Sequence, residues 1–105
     1  MVDLRIEGPA LKLVGDFDVR STSEVRDALY AHLHAHPEYD VVVDLSGVPS
    51  IDPTALRLLA VATRAAERNG HRLLLRGCSP SVRRVLTVAR LRHLVMVEPA
   101  LAVTA

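Results

Sequence analysis

The groups of this 105-residue chain that could do chemistry fall into a few clusters. The sharpest is Asp52-Pro53-Thr54, set in the stretch SIDPTALRLL. There a β-branched apolar run gives way to a helical pattern, and such junctions are where α/β proteins gather polar groups that bind or react. Part of the cluster explains itself as a helix start. An aspartate accepts from the free N–H groups of a first helical turn, and proline at the first helical position loses nothing by lacking its own N–H. Ser79-Pro80 repeats the pair further on. Capping does not explain Thr54, a poor helix former, or the polar Ser50 ahead of Ile51.

Other groups carry weaker signals. His32 and His36 would share a helix face at i, i+4, with His34 between them, and that is a two-ligand metal spacing. No acid or cysteine supplies an evident third ligand, so a helix C-terminus favoured by the dipole competes with that reading. Cys78 precedes a helix start, where a thiol pKa can fall, but no base stands beside it in sequence. Asp16, Asp18, Asp44 and Asp52 are acids that a mixed sheet could collect at one end, without a Walker-type loop to go with them. The arginines at 83, 84, 90 and 92 read as a solvated face, with partner or nucleic-acid contact as the competing reading. No nucleophile–base pair emerges, so no enzyme and no cofactor is expected.

Composition narrows the rest. Half the residues are hydrophobic and 24% are charged, as in a globular domain, and one domain over residues 1–105 is expected. Aromatics make up 3% and the net charge is +1, which argues against direct nucleic-acid binding. The single cysteine fits a reducing compartment. The first residues carry charges where a signal peptide would be apolar, and LRLLAVATRAA is too short and too arginine-rich to cross a bilayer. A cytoplasmic protein without membrane insertion is expected.

The elements that must position these groups follow from periodicity. LRIEG and ALKLVGDF read as two strands around a Gly8-Pro9 turn. Val25, Ala28, Leu29, His32 and Leu33 make a helical stripe, with Ser21 and Glu24 as a capping box and Pro37 as the stop. YDVVVDLSGV reads as a central strand covered on both faces. A helix is predicted from Asp52 to about Arg68, where Asn69-Gly70 ends it, with Ala55, Leu58, Leu59, Ala62 and Ala66 inward. HRLLLRG is a strand, SPSVRRVLTVARL a helix with Val82, Val85, Leu86 and Ala89 inward, and HLVMVEP a last strand. The order ββαβαβαβ implies a mostly parallel α/β sheet with an N-terminal hairpin. The core is expected at Val41, Val43, Leu45, Leu59, Ala62, Leu74 and Leu86.

Several of these stretches resemble one family in order. They are Asp44-Leu45-Ser46-Gly47-Val48, Ile51-Asp52 before a helix, Gly70 between helix and strand, and the helix from Ser79-Pro80 through Leu86. Upstream, Gly15-Asp16-Phe17-Asp18 leads into the first helix. The set is similar to the STAS domain shared by sulfate transporters and bacterial anti-sigma-factor antagonists. The resemblance implies a STAS-like mixed sheet with helices packed on it. It also implies a partner, a GHKL-type anti-sigma-factor kinase, whose capture frees a sigma factor. In stand-alone members the residue after the aspartate is typically a serine that the partner phosphorylates, often followed by Ser or Thr and then Gly. Here Pro53 stands at that position and Ala55 at the usual glycine, leaving Thr54 as the hydroxyl candidate. Neighbouring helix positions differ by about 100°, so a kinase that reads the serine position need not reach Thr54. The resemblance places the partner surface at Asp16, Asp18, Ser50, Asp52, Pro53, Thr54 and Arg57, with Leu56, Ala60 and Val61 expected as apolar flanks. Two alternatives stand beside it: a STAS subunit bracing the ATPase of a lipid-transport ABC complex, and a small-ligand-binding or enzymatic domain using the acids.

Overall fold

Alternation of buried and open residues along the strands sets the architecture. The structure is a computed structural model and describes residues 2–35, 40–90 and 96–97. Strands β1 (Asp3–Glu7) and β2 (Ala10–Val14) form the expected antiparallel hairpin. Gly8 makes the turn at φ +62, a conformation that side chains disfavour. β3 (Val41–Gly47), β4 (Leu73–Arg76) and β5 (Met96–Val97) follow in parallel, each beside the last, so the sheet order is β1-β2-β3-β4-β5. The crossovers are α1 (Thr22–Ala35), α2 (Pro53–Arg68) and α3 (Pro80–Val88).

Each crossover steps one strand in the same direction. With right-handed connections, that puts all three helices on one face of the sheet. Helix α2 accordingly packs against both α1 and α3. The strands record the asymmetry. Leu11, Leu13, Val41, Val43, Leu45, Leu73 and Leu75 are buried under the helices, whereas Lys12, Asp44 and Leu74 are half-buried and Ser46 and Arg76 exposed. Two expectations change. Among the described residues β3 is covered by helices on one side, and Val42 is screened on the other by its register neighbours Ala10 and Leu74. The core position in β4 is not Leu74 but its neighbours Leu73 and Leu75. Three consecutive leucines carry no period-2 signal, and a shift of one residue exchanges the faces.

Helix α2 is buried over a wider arc than one stripe, because it has a helix on either side. Ala55, Leu59, Ala62 and Ala66 are buried as expected, and Leu56, Ala60 and Thr63 join them. Asp52 and Ser79 cap α2 and α3 through their side chains, with proline next in each case. α2 ends where Asn69 and Gly70, at φ +80, turn their N–H groups back to the carbonyls of Ala66 and Glu67. Val82 and Leu86 anchor α3.

The start of α1 departs from a Ser21–Glu24 capping box. A 3-10 turn over Val19–Ser21 leads into the helix, and its cap is Asp18, whose carboxylate accepts from Arg20 N–H. Ser21 lies inside that turn and is buried, while Thr22 Oγ1 donates to Val19 O at 2.9 Å. Buried His32 points beneath the hairpin, with Nε2 at 3.1 Å from Pro9 O. His36, Pro37 and Arg92, and most of HLVMVEP, lie outside the described residues.

Leu59→Ala and Leu75→Ala should each cost about 2–5 kcal/mol, since both side chains are fully buried. Leu74→Ala should cost less. Urea unfolding of the three variants checks the assignment, and an equal loss at Leu74 and Leu75 would contradict the strand's facing.

Candidate functional site

The C-terminal ends of β2 and β3 open into two loops that are laced together. Gly15 N–H donates to Gly47 O at 2.8 Å as the strands part. Beyond, Phe17 and Ile51 form an isolated parallel bridge: Phe17 N–H donates to Ser50 O and Asp52 N–H to Phe17 O, both at 3.4 Å. Phe17 and Ile51 are buried, so the loops are pinned to the core from below. Ser50 Oγ donates to Asp16 Oδ1 at 3.3 Å across the same gap.

Asp52 completes the lacing. Its Oδ1 accepts from Ala55 N–H at 2.8 Å, the helix cap foreseen from sequence. Its Oδ2 accepts from Val19 N–H at 3.0 Å, a bond to the 3-10 turn 33 residues away. One carboxylate therefore ties the first turn of α2 to the entry of α1. Asp18 is occupied next to it. The Arg20 guanidinium, hydrogen-bonded to the carboxylate with Nη2 at 2.7 Å from Oδ2, holds the Asp18 pKa below its ordinary value, and the Asp18 carboxylate raises that of Arg20. Both carboxylates serve as acceptors for structural donors.

Asp16, Asp18, Ser50, Asp52, Pro53, Thr54 and Arg57 all lie around these loops and the first turns of α2. Pro53, Thr54 and Arg57 are exposed, and Asp52 is half-buried. The Thr54 hydroxyl takes no part in the cap. Two expected members of the apolar flank are elsewhere: Leu56 and Ala60 belong to the core, at 0% and 2% exposure, because the arc of α2 facing its neighbours is wide. Val61, at 52%, is on the surface. Val19, at 59%, joins the rim beside Asp52 without having been singled out. An isolated apolar residue in a loop carries no sequence signal, and only the long-range bond to Asp52 places it.

Asp44 does not join the acids at the sheet end. It sits on the open sheet face, in register between Lys12 and Arg76. Burial would raise its carboxyl pKa. Hydrogen bonding from Ser46, with Lys12 and Arg76 alongside, outweighs that and lowers it. Cys78 is buried, and burial raises its thiol pKa, the reverse of the shift expected at a helix start. Among the described residues no three His, Cys, Asp or Glu side chains are grouped to hold a metal. A cleft of about 250 Å³ lies at the far ends of α1 and α2, lined by Tyr30, Leu33, His34, Asn69 and His71 among others, away from Asp52. No helix among the described residues is long and apolar enough to cross a membrane.

A family model described as "Mlab, STAS domain" matches residues 1–98. The chain belongs to the STAS family. Solved STAS-like folds superpose closely at low identity. An anti-sigma factor antagonist from Mycobacterium paratuberculosis gives a TM-score of 0.75 at 18% identity, over 96% of this chain and 86% of that one. The Thermotoga maritima protein TM1081 gives 0.74 at 17%, over 97% and 89%. Bacillus SpoIIAA in its phosphorylated form gives 0.65 at 16%, over 95% and 93%. At such identities the likeness establishes the fold, a mixed sheet with helices packed on it.

The lowered pKa of Asp44 has a definite sign. A carboxyl held below its unfolded value adds stability that is present above that value and is lost as pH falls through the folded one. Asp44→Asn should therefore flatten the loss of unfolding free energy as pH falls through the ordinary carboxyl range and below it. Parallel curves for parent and variant would show that the Lys12–Asp44–Arg76 row contributes nothing.

Proposed function

We propose that this STAS domain is a non-enzymatic, cytoplasmic protein-binding module of 105 residues. Its role is that of an anti-sigma factor antagonist, which captures an anti-sigma factor of the GHKL kinase class and so releases a sigma factor. The observation that carries this reading is the state of the acids at the sheet end. Asp52 uses both oxygens on backbone N–H groups, and Asp18 is paired with Arg20. Neither is placed as a free general base, and the hydroxyl that does reach an acid here, Ser50 Oγ, donates to Asp16 rather than to either of them. The loops therefore offer a fixed surface rather than a reaction centre: Val19, Pro53, Thr54, Arg57 and Val61 over a rigid base. Antagonists of this fold from other organisms support the role.

Bacillus SpoIIAA exists in a phosphorylated form. In this chain Pro53 occupies the usual acceptor position and has no hydroxyl, and Thr54 projects about 100° away around the helix. The protein acts as a constitutive binder, or takes its signal elsewhere. Pro53 also favours a second reading, a STAS subunit bracing the ATPase of a lipid-transport ABC complex, since a brace needs no acceptor. The third possibility, an enzyme or ligand-binding domain, lacks support at these loops, because the cleft lined by Tyr30 and His71 is remote from the acids.

One experiment tests surface and switch together. Parent, Thr54→Asp and Thr54→Val proteins are incubated with the partner kinase, ATP and Mg²⁺, their binding is measured, and phosphate is mapped by mass spectrometry. Thr54→Asp should bind at least about tenfold more weakly while remaining folded. A charge buried without a partner is expensive, but an acid in a first helical turn is tolerated. Parent and Thr54→Val should both remain unmodified at residues 50–55 and bind alike. Near-complete phosphorylation of Thr54 would restore the switch, with a charge of about −2 breaking the interface. Equal binding by Thr54→Asp and parent would move the interface elsewhere.

A further inference from the structure

Arginines on most of this molecule sit beside acids. Arg5 pairs with Asp3, Arg20 with Asp18, Arg26 with Asp27 and Arg72 with Asp40. Helices α2 and α3 break the pattern. They carry Arg57, Arg64, Arg68, Arg83 and Arg84 against a single acid, Glu67. None of these five has an acid partner among the described residues. The two helices lie on one face of the sheet and touch, so their outward surfaces are continuous.

Position on the helices sorts the residues further. Arg57, Val61, Arg64 and Arg68 follow at i, i+4, i+7 and i+11, one exposed stripe along α2. On α3, Arg84 and Val88 share a face at i, i+4. Val61 and Val88, exposed by 52% and 74%, are two of the few large apolar side chains open to solvent among the described residues. The face thus combines guanidinium groups that have no acid beside them, of which Arg83 donates through Nε to Cys78 O at 3.3 Å, with apolar patches, and Arg57 joins it to the Thr54 rim one turn away.

We propose that this α2–α3 face docks an acidic, partly apolar surface of the protein partner, an inference that rests on the protein-binding reading above. Guanidinium groups pair bidentately with carboxylates and are enriched at protein interfaces, where apolar patches become the dry centre. The alternatives fit less well. Neither helix carries an aromatic side chain on which a nucleic-acid base could stack. A helix face that inserts into an anionic lipid surface uses Trp, Phe or Leu rather than two separated valines.

In-cell photo-crosslinking tests the proposal, with p-benzoylphenylalanine in place of Val61, of Val88 or, as a control on the far hairpin, of Ile6. Positions 61 and 88 should give an adduct that position 6 does not. It should map to a protein segment in which Asp and Glu outnumber Lys and Arg. That protein is then purified and its affinity measured for parent, Arg64→Glu/Arg84→Glu, Arg5→Glu and Thr54→Asp chains, each with an unchanged melting temperature. The double reversal should weaken binding at least about tenfold, and the parent's affinity should fall with added salt, while Arg5→Glu leaves both as they are. A lipid or nucleic-acid adduct, no adduct at either valine, or unchanged affinity in the double reversal would overturn the proposal. The Thr54→Asp arm separates the two claims. A loss there without a loss in the double reversal sinks the basic face alone. The opposite outcome sinks the junction surface alone.

Discussion

A single carboxylate ties together the two loops at the C-terminal end of the sheet. Asp52 accepts from Ala55 N–H and from Val19 N–H, so the helix start and the distant 3-10 turn share one anchor. Without a side-chain acceptor, the first N–H groups of α2 would turn to water. Val19 N–H would lose its partner, and the turn that presents Val19 would be held only by Asp18 and Thr22. The hydrogen bonds of Phe17 with Ser50 and Asp52 are long, so the carboxylate gives the loop pair much of its definition. Pro53 then starts the helix at a fixed φ and leaves Thr54 outward on a stiff first turn.

The one-sided layering explains why that end is available. Monotonic strand order stacks α1, α2 and α3 on the same face. The loops leaving β2 and β3 emerge together at the C-terminal edge, where open α/β sheets bind. The next loop is held close by Gly77, at φ +71, where a Cβ would come within 2.8 Å of Ser46 Cβ. Among the described residues no helix closes the opposite sheet face. It manages its polar groups by register, with Asp44 set between Lys12 and Arg76. The same layering sets the character of α2. Flanked by two helices, it commits Leu56 and Ala60 to the core and leaves Arg57, Val61, Arg64 and Arg68 as a stripe outside, beside Glu67 and the exposed Pro53 and Thr54.

Much of this was legible in the sequence where one residue type has one good use. Asp52-Pro53 and Ser79-Pro80 marked helix starts because capping and a fixed φ leave few other roles. Gly8 and Gly70 marked turns for the same kind of reason. Parity in β4 was not legible, since three leucines look alike from either face. Helix α1 begins at Thr22, directly after Ser21 as expected, but the 3-10 turn before it was not legible, since Ser21-Thr22-Ser23 offers several hydroxyls for a cap while the acceptor that caps that turn, Asp18, lies a turn earlier. The width of the buried arc on α2 depended on neighbours that periodicity does not report. The second bond of Asp52 is a contact across 33 residues, and no local pattern encodes it.

Amide hydrogen exchange at Val19 tests the Asp52 clamp most directly, compared in parent, Asp52→Asn and Asp52→Ala proteins. The asparagine oxygen can still accept from Ala55 N–H, but its NH₂ group cannot accept from Val19. Val19 exchange should therefore quicken in both variants, while Ala55 keeps its protection in Asp52→Asn and loses it in Asp52→Ala. Unchanged protection of Val19 in Asp52→Ala would contradict the account, because the two loops would then be holding each other without the carboxylate.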